Sequence, residues 1–226
     1  MSMQYNAMFR QDPIGFVNNY TVDIKTWFEG LMLTPRDPAH QYLQAAALAG
    51  VCRFDFEPTG GFMGFGVNTV TARVVGNNGI DAYWAPYHAG GGLPGYTDVP
   101  RRNPPTRFVF TAGMNGCAFV VTDSPRGAAY MRVYHHQHPG DANNLTHEST
   151  AVWQAIANQG QQIISVSSFE DYGGTPPPHG FNPVAFNFLY YRNSTWVYVN
   201  QPQQFNALSR APARRQIGQV TVRSLF

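Results

Sequence analysis

The chain has 226 residues, which is enough for one large domain or two small ones with a substantial buried core. Hydrophobic residues make up 43% of it and aromatic residues 14%, a composition that is typical of packed globular proteins and argues against disorder. The formal net charge is only +2, and no basic stripe interleaves with aromatic residues, so the sequence argues against a nucleic-acid partner.

Targeting and membrane signals are not predicted. Residues 1–6 lack a basic region followed by an apolar run, so we expect no secretory signal. No stretch reaches the length of a membrane span. The two cysteines, Cys52 and Cys117, are not a disulfide framework in a chain of this size, which favours a reducing compartment.

Residues 1–50 predict a mainly helical part of the chain with locally amphipathic segments. Thr21 or Asp23 can cap a helix that continues through Leu33, after which prolines end it. A second short helix is predicted over residues 40–49, directly before a glycine.

From residue 51 the pattern changes to alternating and β-branched residues, which predicts a β-rich part that extends to residue 226. Strands are predicted at residues 52–56 and 67–75, and a hairpin-type turn at residues 76–79. Residues 85–106 are dense in proline and glycine, so they predict a loop long enough to serve as a functional flap.

The remaining elements complete an α+β pattern in which helices flank a sheet or a pair of sheets. No internal repeat is apparent, so residues 1–226 are predicted to form a single catalytic domain. The predicted elements are a helix at 147–158, a Gly/Pro loop at 171–183, and strands at 163–169, 185–192, 195–200 and 218–223.

Residues 108–121 carry the clearest chemical signal. They read as an apolar strand, a turn of small residues that includes Asn115 and Gly116, the thiol of Cys117 and a second apolar strand. Such a turn removes side-chain bulk from around the thiol and can direct backbone N–H groups at a developing oxyanion. After a polar hairpin, a third strand brings His135 back toward the cysteine. This order predicts a thiolate–imidazolium pair.

The hairpin register decides which histidine meets the thiol. A short turn pairs Cys117 with Val133, so His135 lies one same-face position further along the strand. Successive strand residues face opposite sides of a sheet, so His135 and His136 cannot both meet the thiol. This pairing favours His135, whereas a bulge near Tyr134 would select His136. Thr111 ends the preceding strand six residues before Cys117, and we expect its hydroxyl to contact the histidine or a substrate amide.

Plainer interpretations of these residues stay open. A single cysteine in an apolar strand is commonly a small buried hydrophobe. Asp141 would complete a triad, but its position is not fixed by the sequence. The histidines could bind zinc with Cys117, yet a second cysteine pair is missing and the spacings match no common site, so no metal and no cofactor are predicted. The histidines concerned are His135, His136, His138 and His147.

Thr111, Cys117 and His135, with Gly116 directly before the cysteine, resemble the active-site pattern of a family of cysteine-dependent glutamine deamidases. That family includes cytotoxic necrotizing factor, Burkholderia lethal factor and the chemoreceptor deamidase CheD. The resemblance covers about residues 107–140. It implies a sandwich of mixed β-sheets with flanking helices, and a Cys–His pair in a cleft.

The resemblance also implies an activity. The Cys117 thiolate would attack a glutamine carboxamide, and His135 would protonate the departing ammonia and then activate water. The substrate would be a host protein such as a small GTPase or a translation factor. A basic complement of 14 arginines and the single lysine Lys25 suits a bacterial toxin that avoids ubiquitin attachment, although GC-rich coding gives the same bias. We therefore expect a monomeric, secreted or injected toxin or effector that acts in the host cytoplasm.

Two other functions compete with this one. A papain-like cysteine protease or acyltransferase uses similar residues, but its cysteine typically opens a long helix, whereas Cys117 enters a predicted strand. A non-catalytic β-rich binding module, such as a carbohydrate binder, would use aromatic side chains as platforms. The candidates for these platforms are Tyr83, Trp84, Tyr87, Trp196 and Tyr198.

Overall fold

The computed structural model describes residues 2–24, 50–59, 69–88, 92–137, 147–159, 161–172, 181–206 and 214–226. Its helices are α1 (Ser2–Gln11), α2 (Pro13–Asn19), α3 (His147–Ala157) and α4 (Phe169–Tyr172). Asp12 separates the first two and caps α2, because its carboxylate accepts a hydrogen bond from the Gly15 N–H at 2.9 Å. Pro13 supplies the fixed φ angle that suits the first position of a helix.

Thirteen strands lie within these ranges. They are β1 (Thr21–Asp23), β2 (Cys52–Thr59), β3 (Thr69–Val74), β4 (Ile80–Ala85), β5 (Gly95–Pro100), β6 (Phe108–Thr111), β7 (Ala118–Asp123), β8 (Tyr130–His136), β9 (Ile163–Ser167), β10 (Phe181–Arg192), β11 (Thr195–Asn206), β12 (Arg214–Gln216) and β13 (Thr221–Ser224).

The larger of two sheets is mixed. Its strand order is β1-β3-β2-β4-β6-β10-β11-β12, and β13 also pairs with β11. β1 is parallel to β3 and β4 is parallel to β6, whereas the other pairs are antiparallel. β10 and β11 form a long hairpin that turns at Asn193 and Ser194, whose positive φ angles of 49° and 62° fit a type I′ turn.

The smaller sheet has the order β5-β8-β7-β9 and is antiparallel throughout. Its two central strands are buried on both faces, which explains why they read as continuous apolar runs and not as an alternation.

Three buried clusters arrange the helices and sheets in layers. The first joins α1 and α2 to one face of the larger sheet, the second fills the space between the sheets, and the third lies between the smaller sheet and α3. Representative residues are Phe9, Phe16, Phe56 and Phe110 in the first, Val109, Phe119, Val133 and Trp196 in the second, and Val120, Tyr134, Val152 and Ile156 in the third. The predicted α+β class, a sandwich of mixed β-sheets with flanking helices, is confirmed.

Two predicted elements in the first 80 residues are wrong. Thr21 and Asp23 do not cap a helix but belong to β1, because this segment extends the larger sheet by pairing with β3. The turn at residues 76–79 does not form a hairpin, because β3 and β4 both pair with β2, on its two sides. Gly79 crosses β2 so closely that an added Cβ would lie 2.4 Å from the Phe54 carbonyl oxygen.

The predicted loop at residues 85–106 is also wrong in part. It contains β5, the edge strand of the smaller sheet that pairs with β8. Buried and partly buried residues alternate along β5. The extension of a helix to Leu33 and the helix at residues 40–49 lie outside the described residues, as do His138 and Asp141.

Candidate active site

Three elements from both sheets bring the predicted site residues together. Thr111 is the last residue of β6 in the larger sheet, and His135 lies near the end of β8 in the smaller one. Cys117 directly precedes β7, the neighbour of β8. All three side chains are buried between the sheets, with exposures of 0%, 0% and 7% for Thr111, His135 and Cys117.

The register of the β7–β8 hairpin differs from the predicted one by four residues. Phe119 pairs with His135, so Cys117 lies beside Gln137 and not opposite Val133. Its Sγ atom is 3.8 Å from the Gln137 carbonyl oxygen. Because the shift is an even number of residues, the faces are unchanged, and His135 lies on the face of Cys117 as predicted. The two residues are diagonal neighbours, roughly 7–8 Å apart at Cα.

The hairpin connection causes this shift. It contains two successive turns instead of one, closed by hydrogen bonds from the Gly127 N–H to the Ser124 carbonyl and from the Tyr130 N–H to the Gly127 carbonyl, each 3.0 Å long. Gly127 closes the first turn and begins the second, and its φ of 104° favours glycine. The longer connection moves β8 along β7.

Thr111 fixes the tautomer of His135. Its hydroxyl donates to the Ala85 carbonyl at 2.7 Å and lies 2.6 Å from Nδ1 of His135. A hydroxyl has one proton, so with that proton on Ala85 the short contact requires Nδ1–H to donate to Thr111. Nε2 is then the unprotonated acceptor. It is buried without a hydrogen-bond partner among the described residues. The predicted contact between threonine and histidine is present.

Burial keeps His135 neutral. Desolvation, together with the positive charges that His136 and His88 can carry, lowers the pKa of His135 from 6.5 to about 3. The imidazolium of the predicted ion pair is therefore disfavoured at neutral pH in this closed arrangement. A ring with so low a pKa is a weak base toward a thiol, so general-base use of Nε2 requires a more solvated state of the site, in which the pKa of His135 rises.

Tyr172 holds the backbone of the cysteine, and sequence reasoning missed it. Its hydroxyl donates to the Cys117 carbonyl at 2.6 Å, and the side chain is 2% exposed. Burial, and after it the nearby Cys117, raises the pKa of Tyr172 far above its ordinary value, so the phenol keeps its proton. This residue lies in α4, 55 positions along the chain, and no local sequence pattern signals the contact.

Tyr87 covers the pair, and its role was also missed. It follows β4, and its ring meets that of His135 edge-on with centroids 5.3 Å apart. Burial and the nearby Cys117 raise the pKa of Tyr87. Tyr87 was a candidate platform for carbohydrate, but its half-buried ring lies against His135 instead.

In the turn before Cys117, the Sγ atom of the cysteine lies 3.8 Å from the carbonyl oxygen of Asn115. Gly116 has a φ of +74°, which glycine adopts without strain, and both Asn115 and Gly116 are exposed. Met114 anchors the turn to the larger sheet through two backbone hydrogen bonds with Ala185, of 3.0 and 2.9 Å. The turn thus exposes backbone next to the thiol while its first residue is fixed.

Cys52 and His136 lie outside the candidate active site. His136 faces α3, where its ring packs against Trp153 with centroids 4.4 Å apart. Cys52 is in the cluster under α1 and α2, and burial raises its pKa to about 12, so its thiol is inert. Both cysteines are free thiols. Within the described ranges, no three His, Cys, Asp or Glu side chains converge as metal ligands would.

One family model, described as the Mcf1 activator-binding domain, matches residues 5–224. The chain belongs to this family. No curated protein is matched to it. The family match extends over almost the whole chain, so it includes both sheets and the three candidate residues, and its description names the binding of an activator.

For this member of the Mcf1 activator-binding family, three of the predicted aromatic platforms of a carbohydrate binder are wrong. Trp84, Trp196 and Tyr198 are fully buried, because strand aromatics fill the clusters on both faces of the larger sheet. No helix in the described part of the chain is long and apolar enough to cross a membrane.

Proposed function

We propose that this chain is a cysteine-dependent amide hydrolase, a protein-glutamine deamidase, whose activity requires an activating partner protein. The observation that carries the proposal is the hydrogen bond between Thr111 and His135, which leaves Nε2 as a proton acceptor on the face of the sheet where Cys117 lies. A general base needs an acceptor nitrogen that is held in one tautomer.

In each half-reaction His135 acts first as a base and then as an acid. Nε2 of His135 takes the proton of the Cys117 thiol, and the thiolate attacks the carboxamide carbon of a glutamine side chain. The resulting tetrahedral intermediate expels ammonia, which takes the proton from His135, and a thioester remains. His135 then removes a proton from water, which attacks the thioester, and returns this proton to the departing Cys117 thiolate as glutamate is released. Thr111 holds the ring in one tautomer throughout.

The requirement for a partner follows from burial. Cys117 is 7% exposed and His135 is inaccessible, so a protein-bound glutamine cannot reach the thiol in this arrangement. A domain that binds an activator, as the family description states, would open such a site on binding. On this proposal the substrate is a host protein, such as a small GTPase or a translation factor, and the chain acts in the host cytoplasm after secretion or injection.

A eukaryotic cell lysate tests the proposal because it supplies both activator and substrate. The chain is incubated with lysate, and conversions of glutamine to glutamate are mapped by mass spectrometry. We expect conversions with the wild type and with His136→Leu, and none with Cys117→Ser or His135→Leu. Conversions that persist with Cys117→Ser contradict the proposal, and new peptide termini in their place would indicate a protease.

A further inference from the structure

The described chain forms an open cavity of about 970 Å³ between the end of β4 and the edge strand β5. Thr111, Cys117 and His135 do not line it, so it is separate from the candidate active site. Its walls are mainly flat apolar faces, which are typical of ligand sites. Tyrosine rings and prolines supply them, among these Tyr83, Tyr96, Tyr130, Pro86, Pro94 and Pro105.

One polar group in the cavity wall lacks a partner. Thr97 is 2% exposed, and its hydroxyl makes no hydrogen bond within the residues that the structure describes. A buried hydroxyl without a hydrogen-bond partner destabilises a fold unless a ligand supplies that partner. Asp98 beside it is fully engaged, because Arg132 binds both of its carboxylate oxygens at 2.8 Å and Ser124 donates to one of them.

The charge that remains available in the cavity is positive. Arg126 is exposed and stacks over the Tyr130 ring at 4.2 Å, and it forms no ion pair in the described ranges. His88 is exposed in the same wall. With Asp98 neutralised by Arg132, the lining offers a guanidinium and an imidazole to an incoming acidic group.

The cavity follows the backbone edge of β5. Residues that point to opposite faces of this strand, Tyr96 and Thr97, both line it, so the cavity borders the strand itself. Within the described chain β5 pairs with β8 alone, which leaves its second edge available for an added strand. Pro94 and Pro100 lie at its two ends and limit such pairing to the residues between them.

We propose that this cavity is the docking site of the activator, and that it takes an extended, acidic segment of the partner protein as an added strand along β5. The proposal rests on the partner requirement stated above. It also explains how docking reaches the active site. Pro86 and His88 line the cavity, and Tyr87 between them packs against His135. A segment in the cavity therefore contacts both neighbours of the residue that covers the Cys–His pair.

Gly95 reinforces this connection. It begins β5 directly against Pro86, so closely that an added Cβ would lie 1.9 Å from the Pro86 carbonyl oxygen. Because a Cβ projects from the face of a strand and not from its edge, Pro86 packs on the face of β5 at the residue that pairs with His135, and a segment bound along β5 lies next to it.

Two synthetic peptides of the length of β5 test the docking site, one alternating valine with glutamate and the other alternating valine with lysine. We expect the glutamate peptide to bind the full chain in calorimetric titration and the lysine peptide to bind at least about tenfold more weakly. Arg126→Gln should reduce the affinity for the glutamate peptide by about tenfold, whereas the matched control Arg73→Gln, on β3, should not change it. Equal binding of both peptides, no binding of either, or equal effects of the two arginine substitutions would overturn the proposal.

Thr97→Val separates a ligand-binding role from a structural one. It removes the unsatisfied hydroxyl at nearly constant volume, so we expect an unchanged or higher melting temperature together with weaker peptide binding. A lower melting temperature with unchanged binding would overturn the role of Thr97 in the site. Cys117→Ser should bind the glutamate peptide as the wild type does, so a failure of the deamidase chemistry is distinguishable from a failure of the docking site. In the wild type, the bound peptide should accelerate alkylation of Cys117 by iodoacetamide.

Discussion

The neutral, buried state of His135 makes the stability of the fold depend on pH. The pKa of His135 is lowered from 6.5 to about 3 in the folded chain by burial and by the neighbouring His136 and His88. The unfolded chain therefore binds this proton more readily than the folded one at pH values between these limits. The contribution to stability is complete above about pH 6.5 and is lost as the pH falls toward 3.

The size of this loss in stability follows from the difference between the pKa values of His135 in the unfolded and folded chain. Each pH unit below the ordinary pKa lowers the free energy of unfolding by about 1.4 kcal/mol as long as the folded ring stays neutral. A change from about pH 7.5 to about pH 4.5 crosses roughly two such units, so His135 should account for a loss of about 2.5 kcal/mol in the free energy of unfolding. At pH 4.5 the folded ring is still neutral, since its pKa is about 3.

Urea unfolding at the two pH values measures this loss, with the fluorescence of the buried tryptophans as the signal. His135→Gln keeps a polar group next to Thr111 but does not titrate, so it should show a pH-dependent loss smaller by about 2.5 kcal/mol. His135→Leu gives the same comparison without a polar side chain. His88→Gln is the exposed control and should retain the full loss. If His135→Gln loses as much stability as the wild type, the ring is not buried in its neutral form in the folded chain.

Three further substitutions test the site. Cys117→Ser should change the free energy of unfolding by less than about 1 kcal/mol in urea titration and abolish deamidation, because serine is nearly isosteric and can donate to the same carbonyls. Thr111→Val should lower the free energy of unfolding by about 1–3 kcal/mol, because the Ala85 carbonyl loses its donor. It should also slow turnover severely in a single-turnover assay, and unchanged turnover would show that Thr111 has only a structural role. Tyr172→Phe removes the hydrogen bond to the Cys117 carbonyl, so it should lower the free energy of unfolding by about 1 kcal/mol in thermal unfolding and lower kcat more than it raises KM. An effect on stability alone would contradict a positioning role.

The parts of the site that the sequence predicted are those set by local alternation. Strands on either side of a hairpin have a period of two, so the assignment of His135 and His136 to opposite faces needed no exact register. It therefore holds although the hairpin is shifted by four residues. The position of Thr111 at the end of its strand was equally local, and its contact with His135 is present.

The parts that could not be predicted depend on contacts between distant segments. The parallel pairs β1–β3 and β4–β6 join strands that no short turn connects, so no turn signal announces them. Tyr87 and Tyr172 reach the site from a loop and from a four-residue helix, where no periodic pattern exists. β5 lies in a stretch with prolines at its ends, a composition that favours a loop unless an edge strand is considered.

The candidate site is divided between two sheets, which bears on how a partner would control it under the proposed function. His135 belongs to the smaller sheet, whereas the Thr111 hydroxyl that sets its tautomer belongs to the larger one. Their contact of 2.6 Å leaves little room for relative movement of β6 and β8 before Nδ1 loses its acceptor. Opening the site by moving whole sheets would thus remove the orientation that the proposed chemistry needs. A movement confined to residues 86–88, beyond the Ala85 carbonyl that Thr111 binds, would draw Tyr87 away from His135 and keep the contact with Thr111, so under the proposed function an activator would act on this segment and not on the packing between the sheets.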